Sequence, residues 1–415
     1  MELVHRCCCG LDVHKQTVVA CLLRAGTDGR RRKELRTFGT MTDDLLALAD
    51  WLRAASCTQV AMESTGVYWK PVYNLLEGQC VVLVVNAQHI KAVPGRKTDL
   101  KDAEWIADLL QHGLLRGSFI PDRPQRELRD LTRTRTTLID ERTAVINRVQ
   151  KVREDANIKL AGVATNVVGV SGRAMLAALL EGTTDPAALA ELALGKLRKK
   201  RDVLARALSG RFSDHHRLLL TTHLAHLDFL DEEIDQLSAA IAERMRPFEE
   251  ELGRLDTIPG VDRRTAEALL AEIGPDMERF PTAGHLASWA GMCPGNHESA
   301  GKRKGEKTRK GSKWLRRTLV QAAHGAARTK QEGRTRLARR YRQLVVRRGK
   351  QRAALAVGHQ ILVTAYYLLQ RKEDYSEVTP AALDERRRTQ ARLRAVQQLR
   401  QLGFEVTLAP AEAAA

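Results

Sequence analysis

An apolar residue returns every seventh position at Leu131, Leu138, Val145 and Val152, and Ile139 and Ile146 widen the stripe. That return predicts one long helix, and an apolar seam of this length needs a partner helix to cover it. The partner is Leu220, Leu227, Leu230, Ile234, Leu237 and Ile241, spaced mostly three and four apart. Two such helices predict an antiparallel hairpin or a coiled coil in a middle region, residues 122–252. Between them, residues 157–210 are rich in Ala, Leu and Gly and carry no assignable role.

Residues 4–120 have a different rhythm. "VHRCCCGLDV" reads as a buried strand ending near Asp12, "TVVACLLR" as a second, and "RKELRTF" as a third. Thr42 can cap a helix running to Leu52, with Leu45, Leu48 and Leu52 on one face and Asp43 and Asp44 decorating its start. Thr58 to Met62 reads as a short strand with Glu63 at its carboxyl end, Cys80 to Val85 as another, and Leu100 to Leu110 as a helix. Strands mixed with helices in this way predict an α/β domain, residues 1–121, with a mixed sheet.

The formal net charge is +18. Residues 302–352 hold 20 Lys and Arg against Glu306 and Glu332, which accounts for the entire excess; the remainder is balanced. A basic excess confined to one segment points to a polyanion, with a solvated basic face as the plainer reading. The seven cysteines include three in a row, Cys7, Cys8 and Cys9, and no Cys-x-x-Cys. They read as reduced thiols of a core strand, and a zinc site is not expected. Leu355 to Leu369, interrupted by His359 and Gln360, is too short to span a bilayer. The N-terminus shows no cleavable signal pattern, so the reading is a soluble cytoplasmic protein.

"LDTIPGVDRRTAEALLAEIG" opens a third region, residues 253–371, expected to be mostly α. Pro259-Gly260 interrupts two helical patterns, as in a helix-hairpin-helix motif, which offers backbone N–H groups to phosphate. Asp262 stands where a second glycine is usual and would repel a phosphate, so a purely structural hairpin is an equal reading. "WLRRTLVQAAHGAAR" should bury Leu315, Leu319 and Ala322, with His324 packed rather than ligating. The tail, residues 372–415, reads as partly disordered.

Asp99 and Asp102 sit three apart on one helix face, where like charges cost stability unless a cation lies between them. Asp12 and Glu63 end two strands. If those strands pair and the helix packs across their ends, four carboxylates converge, a donor set for hard divalent cations, most often Mg²⁺. Two such ions roughly 3.5–4 Å apart can stabilise both the attacking and the leaving oxygen of a phosphoryl transfer. Taken singly, each acid is more often a cap or a surface charge.

"GLDVHK", "AMESTGVYWKPV", "VVNAQHIKAV" and "KTDLKDAEWIADLL" resemble, in order and spacing, the DEDD recombinases of the IS110 insertion-sequence family. The resemblance covers about residues 5–120 and resumes near 253. It implies an RNase H-like (RuvC-like) fold for the first domain and makes Asp12, Glu63, Asp99 and Asp102 the metal-binding tetrad, with Lys97 and Lys101 offsetting its charge or touching DNA. "GMCPGNHESAGKRKGEKTRKGSKWLRR" matches a second block of that family, in which a serine joins covalently to DNA. The matching position is Ser299, and Ser312 is its rival. Lys302, Arg303, Lys304, Lys307, Arg309, Lys310 and Lys313 would supply the nucleic-acid-binding charge.

The resemblance implies a transposase of a mobile element that cuts and rejoins DNA at element ends and target. It also implies an element-encoded guide RNA as a partner; a dimer or tetramer is expected for such a composite site. Two other readings stay open: a Mg²⁺-dependent structure-specific nuclease such as a junction resolvase, needing no Ser299, and a non-catalytic nucleic-acid binder.

Overall fold

The computed structural model describes residues 3–26, 30–64, 66–86, 102–293, 297–299, 302–305, 308, 311–328, 335–377, 392–393, 395–401 and 403–406; for 297–299 and 302–305 it describes the backbone alone. The chain divides into two compact units, Met1–Pro121 and Asp122–Ala415.

The first unit is built on strands β1 (Cys7–Val13), β2 (Thr17–Ala25), β3 (Arg31–Gly39), β4 (Gln59–Glu63) and β5 (Val81–Val85), with helices α1 (Thr42–Ala54), α2 (Trp69–Leu76) and α3 (Asp102–Gln111). The sheet order is β3-β2-β1-β4-β5. β1, β2 and β3 run antiparallel, and β4 and β5 join parallel, so the sheet is mixed as expected. β1 is central and covered on both faces, which is why "CCCGLDV" is apolar almost throughout instead of alternating. Cys9, Leu11 and Val13 pack with Leu48, Leu52 and Leu76 of α1 and α2. On the opposite face Cys8, Ala61 and Val85 pack with Ala103, Ile106 and Leu110 of α3. β3, at the edge, carries charged residues that discourage further strand pairing.

Helix α1 starts one residue earlier than its side chains suggest. Met41 is the N-cap, with no side-chain cap bond, and Thr42 lies inside the helix. Burial of Leu45, Leu48 and Leu52 sets the phase, and the Met41 carbonyl already accepts from Leu45 N at 3.0 Å.

The second unit begins with α4 (Arg123–Asp155), a 33-residue helix, continues through α5 (Val170–Leu180), α6 (Pro186–Glu191) and α7 (Arg201–Leu208), and returns along α8 (Asp214–Met245). α4 and α8 are antiparallel: Arg142 pairs with Asp231, and His216 reaches Asp155 at 2.9 Å. The apolar seam holds at the far end of α4, where Val145, Val149 and Val152 pack with Leu220, Leu227 and Leu230. Leu160, Met175, Leu176, Leu189, Leu204 and Leu208 join the same core. Residues 157–210 therefore cap the hairpin at the end where they connect α4 to α8, a role that needs Leu and Ala and no particular motif.

Towards the start of α4 the seam changes character. Leu131 and Leu138 are only partly buried; the buried positions there are Leu128, Arg129, Thr132 and Arg135. They face α10 (Arg263–Ile273), which follows α9 (Glu249–Asp256). The turn between α9 and α10 is the expected hairpin. Gly260 has φ +88°, and a Cβ there would lie 2.3 Å from Ala322 O and Ala326 N of α12 (Lys313–Arg328). Helix α11 (Ala283–Trp289) precedes α12, with a ribbon of β6 (His297–Ser299) and β7 (Lys302–Gly305) between them; α13 (Arg336–Arg348) and α14 (Lys350–Arg371) follow. Leu315, Leu319 and Ala322 are buried as expected, and His324 Nδ1 lies 3.3 Å from the Tyr341 hydroxyl. The expectation of a disordered tail falls largely outside the described residues, although Tyr375 N donates to Thr257 Oγ1 at 2.9 Å. Among the described residues no helix is long and apolar enough to cross a membrane.

Candidate functional site

The parallel ladder between β1 and β4 pairs Cys9 with Val60, Gly10 with Ala61 and Leu11 with Met62. One further step in that register sets Asp12 level with Glu63, on neighbouring strands about 4.8 Å apart. Side chains alternate along a strand, so Asp12 shares a face with Cys8 and Gly10, and Glu63 with Ala61. Cys8 and Ala61 belong to the core under α3. Both carboxylates therefore lie on the α3 face, at the carboxyl ends of their strands.

Gly10 sets how closely α3 approaches. A Cβ at Gly10 would stand 2.2 Å from Ala103 O and 2.4 Å from Ala107 N, so only glycine admits the helix backbone at this distance. Asp102 is the first residue of α3, immediately before Ala103. Three of the four expected acids are thus brought to one region of one sheet face. Asp99, Lys97 and Lys101 lie outside the described residues. The other acids of α3 are used differently: Glu104 pairs with Lys33 at 2.8 Å and Asp108 with Arg31 at 2.6 Å, both cations from β3. Asp12 Oδ2 lies 3.1 Å from Nε2 of the exposed His14. Among the described residues no three His, Cys, Asp or Glu side chains are arranged to hold a metal ion. The donors of the expected set are nevertheless all carboxylate oxygens, which fit a hard divalent cation and not a soft one.

Ser299 ends β6, and its backbone pairs with Lys302 across the ribbon turn. Lys302, Arg303 and Lys304 belong to β7, Lys307, Arg309 and Lys310 lie outside the described residues, and Lys313 opens α12 with its Nζ 5.0 Å from the Trp314 ring centre. The base of this segment is tied. Arg316 of α12 donates to Gly291 O on one side and to Thr308 Oγ1 on the other. Gly311 lies against Ala290 and Gly291, where a Cβ would meet backbone at 2.4 Å. Ser312, the rival serine, is already engaged: its Oγ donates to Glu272 Oε2 at 3.1 Å and accepts from Leu315 N at 3.2 Å.

Glu272 belongs to a network that the sequence did not suggest. Its buried carboxylate receives Arg133 Nε at 2.7 Å and Arg133 Nη2 at 3.0 Å besides Ser312. Arg129 donates to Ala271 O at 3.1 Å and to Glu272 O, with its guanidinium 5.6 Å from the Trp289 ring centre. Burial pulls the Arg129 guanidinium down to about 10, against the opposing pull of Glu272. Arg135 pairs with the equally buried Glu267 at 2.8 Å. These contacts bind α4 to α10 and, through Ser312, to the start of α12, where the Ser299 segment rejoins the helical body. The one available signal was the run of arginines at three- and four-residue spacing at the start of α4, Arg123, Arg126, Arg129 and Arg133, which reads as a solvated face.

At the hairpin, Asp262 caps α10 by accepting from Thr265 N at 2.9 Å. Burial works to raise its carboxyl, but the hydrogen bonds from Thr265 outweigh that and hold it below its ordinary value. With Gly260 packed on α12 and Asp262 on the N-terminal amides, the hairpin is filled by its own chain, which favours the structural reading.

A family profile described as a transposase matches residues 9–156, and a second, described as the transposase IS116/IS110/IS902 family, matches residues 252–338. The chain belongs to the IS110 family of transposases. The first match contains Asp12, Glu63, Asp99 and Asp102, and the second contains Ser299 and the basic ribbon. This transposase is 27% identical over 285 residues to a probable family 20 transposase of Pseudomonas aeruginosa, covering 67% of this chain and 74% of that one. It is 25% identical over 297 residues to the transposase for insertion sequence element IS1111A of Coxiella burnetii, covering 70% and 72%. It is 30% identical over 252 residues to an uncharacterized 43.6 kDa protein of insertion element IS110 from Streptomyces coelicolor, covering 55% and 61%. It is therefore an insertion-sequence enzyme that acts on DNA.

Proposed function

We propose that this transposase cuts and rejoins DNA strands with a divalent cation, Mg²⁺ by preference, held by Asp12, Glu63, Asp99 and Asp102, and with Ser299 as the nucleophile. The observation that carries the reading is the β1–β4 register, which sets Asp12 level with Glu63 on the face where α3 begins at Asp102. The mixed sheet with an acid on its central strand supports an RNase H-like first unit. When bound, the cation supplies positive charge to the oxygens of phosphoryl transfer.

Ser299 Oγ attacks phosphorus and the displaced deoxyribose oxygen leaves, so the cut strand is held as a serine phosphodiester. A hydroxyl of a second strand can then displace the serine, rejoining DNA without an external energy source. Lys302, Arg303 and Lys304 follow Ser299 on the same ribbon, and Lys307, Arg309, Lys310 and Lys313 follow in sequence; they neutralise the backbone phosphates beside the attacked one. The engagement of Ser312 with Glu272 and Leu315 supports Ser299 over its rival. An element-encoded guide RNA and a dimer or tetramer complete the reading.

The test is covalent trapping. Purified protein, Mg²⁺, labelled element-end DNA and RNA transcribed from the element's flanks are incubated and run on a denaturing gel. A labelled protein–DNA adduct in wild type, absent from Ser299→Ala and Asp102→Asn, is expected. Cleavage without adduct, indifferent to Ser299→Ala and abolished by Asp102→Asn, would replace this reading with a simple metal-dependent nuclease.

A further inference from the structure

Ser299 stands on a two-stranded ribbon whose strands, β6 and β7, hold three and four residues, with an irregular register between His297 and Glu298. A two-stranded ribbon of this size is marginally stable by itself and cannot fix its own orientation. Where it stands is decided at its base. Ser299 follows Gly291 by eight positions and precedes Thr308 by nine. Eight extended residues reach at most about 26 Å, and at that reach a swing of about 2° moves the tip by about 1 Å.

The base is built in two steps. Packing brings its ends together. Gly291 N donates to Ser288 O at 3.1 Å and Met292 N to Ala287 O at 2.9 Å, which winds the entry onto the end of α11, and Met292 is buried. On the exit, Gly311 lies on the backbone of Ala290 and Gly291 and leaves no room for a Cβ. Packing alone does not hold two strands in one alignment; a directional contact does, and Arg316 of α12 supplies it. One nitrogen, Nη2, donates both to Gly291 O on the entry and to Thr308 Oγ1 on the exit. That nitrogen carries two N–H groups, one for each acceptor. Gly291 is buried, so its carbonyl needs this donor. Arg316 is itself on a fixed element. Its N donates to Ser312 O at 3.1 Å in the first turn of α12, and Ser312 Oγ donates to the Glu272 carboxylate that also receives Arg133. A chain of contacts therefore runs from α4 and α10, through the start of α12, to both sides of the ribbon's neck.

We infer that Arg316 is a positioning residue for Ser299: it clamps the entry and exit of the ribbon and so fixes where the serine meets the bound strand, without itself touching DNA. The inference rests on the proposed reading of Ser299 as the nucleophile. It assigns Arg316 a different task from the neighbouring cations. Lys302, Arg303 and Lys304 neutralise phosphate, so their loss is felt in binding. Loss of the clamp leaves those cations in place and changes the alignment of the serine once DNA is bound, so it is felt in the rate of the bound complex. Thr308 shares the task as the acceptor on the exit side.

The test measures single-turnover adduct formation with full-length protein, Mg²⁺, labelled element-end DNA and RNA transcribed from the element's flanks. DNA affinity is measured on the same preparations, and backbone hydrogen exchange on the DNA-free protein. Arg316→Gln breaks the clamp. Thr308→Val removes only the hydroxyl on the exit and is the milder change where Arg316→Gln fails to fold. Each should slow adduct formation at saturating DNA by about 10- to 100-fold, the loss expected as the misplacement approaches 1 Å. Each should leave DNA affinity unchanged and speed exchange at residues 297–305. Thr308→Ser, which keeps the acceptor, should restore the rate. A wild-type rate in Thr308→Val, or weaker binding with an undiminished rate at saturation, would overturn the inference. Cleavage without adduct in wild type would mark failure of the Ser299 reading and not of the clamp, which unchanged exchange at residues 297–305 in both variants would overturn.

Discussion

Replacing Gly10 with Ala adds one methyl at the place where α3 lies on β1. That carbon would stand 2.2 Å from Ala103 O, 2.4 Å from Ala107 N and 2.9 Å from Ala107 Cα. All three are backbone atoms, so no side-chain rotation relieves the clash; the helix must move at least about 0.8 Å to restore even a tight 3.0 Å contact. Overpacking of this kind costs about 1–3 kcal/mol. It also carries Asp102 away from Asp12 and Glu63, and a misplacement near 1 Å costs a catalytic constellation about 100-fold. Urea denaturation should therefore show Gly10→Ala destabilised by about 1–3 kcal/mol, and metal-dependent cleavage of element-end DNA should fall about 100-fold at temperatures where the variant is still folded. A variant as stable as wild type with undiminished cleavage would refute the close packing of α3 on β1 as the device that positions Asp102 for the proposed reaction.

Glu272→Ala should cost about 3–5 kcal/mol in urea denaturation, because it strands the partly buried Arg133 and removes the carboxylate opposing Arg129; a loss under 1 kcal/mol would contradict the network. Asp262→Ala should lose about 1 kcal/mol of cap stability. The depressed carboxyl of Asp262 contributes stability that is complete above its ordinary 3.8 and is lost as the pH falls through its lower folded value; Asp262→Asn should flatten that part of the acid-unfolding curve. Changing Lys302, Arg303, Lys304, Lys307, Arg309 and Lys310 together to Gln should reduce the slope of log affinity against log salt by up to about 5 in DNA-binding titrations, at roughly 0.9 per lost phosphate contact.

The first unit was legible because its signals are local. "CCCGLDV" is apolar on both faces as a central strand must be, and Asp12 and Glu63 are polar interruptions at strand ends, where a buried sheet stops needing apolar residues. The sequence could not show that Gly10 sets the depth of α3, since that depends on atoms more than ninety positions away. The start of α4 misled for a related reason. The heptad continues through Leu131 and Leu138, but the buried face there contains Arg129, Thr132 and Arg135. An arginine counts as exposed until a carboxylate meets it, and Glu272 and Glu267 lie more than 130 residues on. Residues 157–210 gave no motif because capping a helix hairpin asks only for apolar volume.

The most direct measurement is the identity of the residue that carries the DNA. The trapped adduct is digested with nuclease and protease, and the nucleotide-bearing peptide is sequenced by mass spectrometry. Attachment at Ser299 is the predicted result. Attachment at Ser312, or an active preparation with no serine-linked nucleotide, would contradict the account.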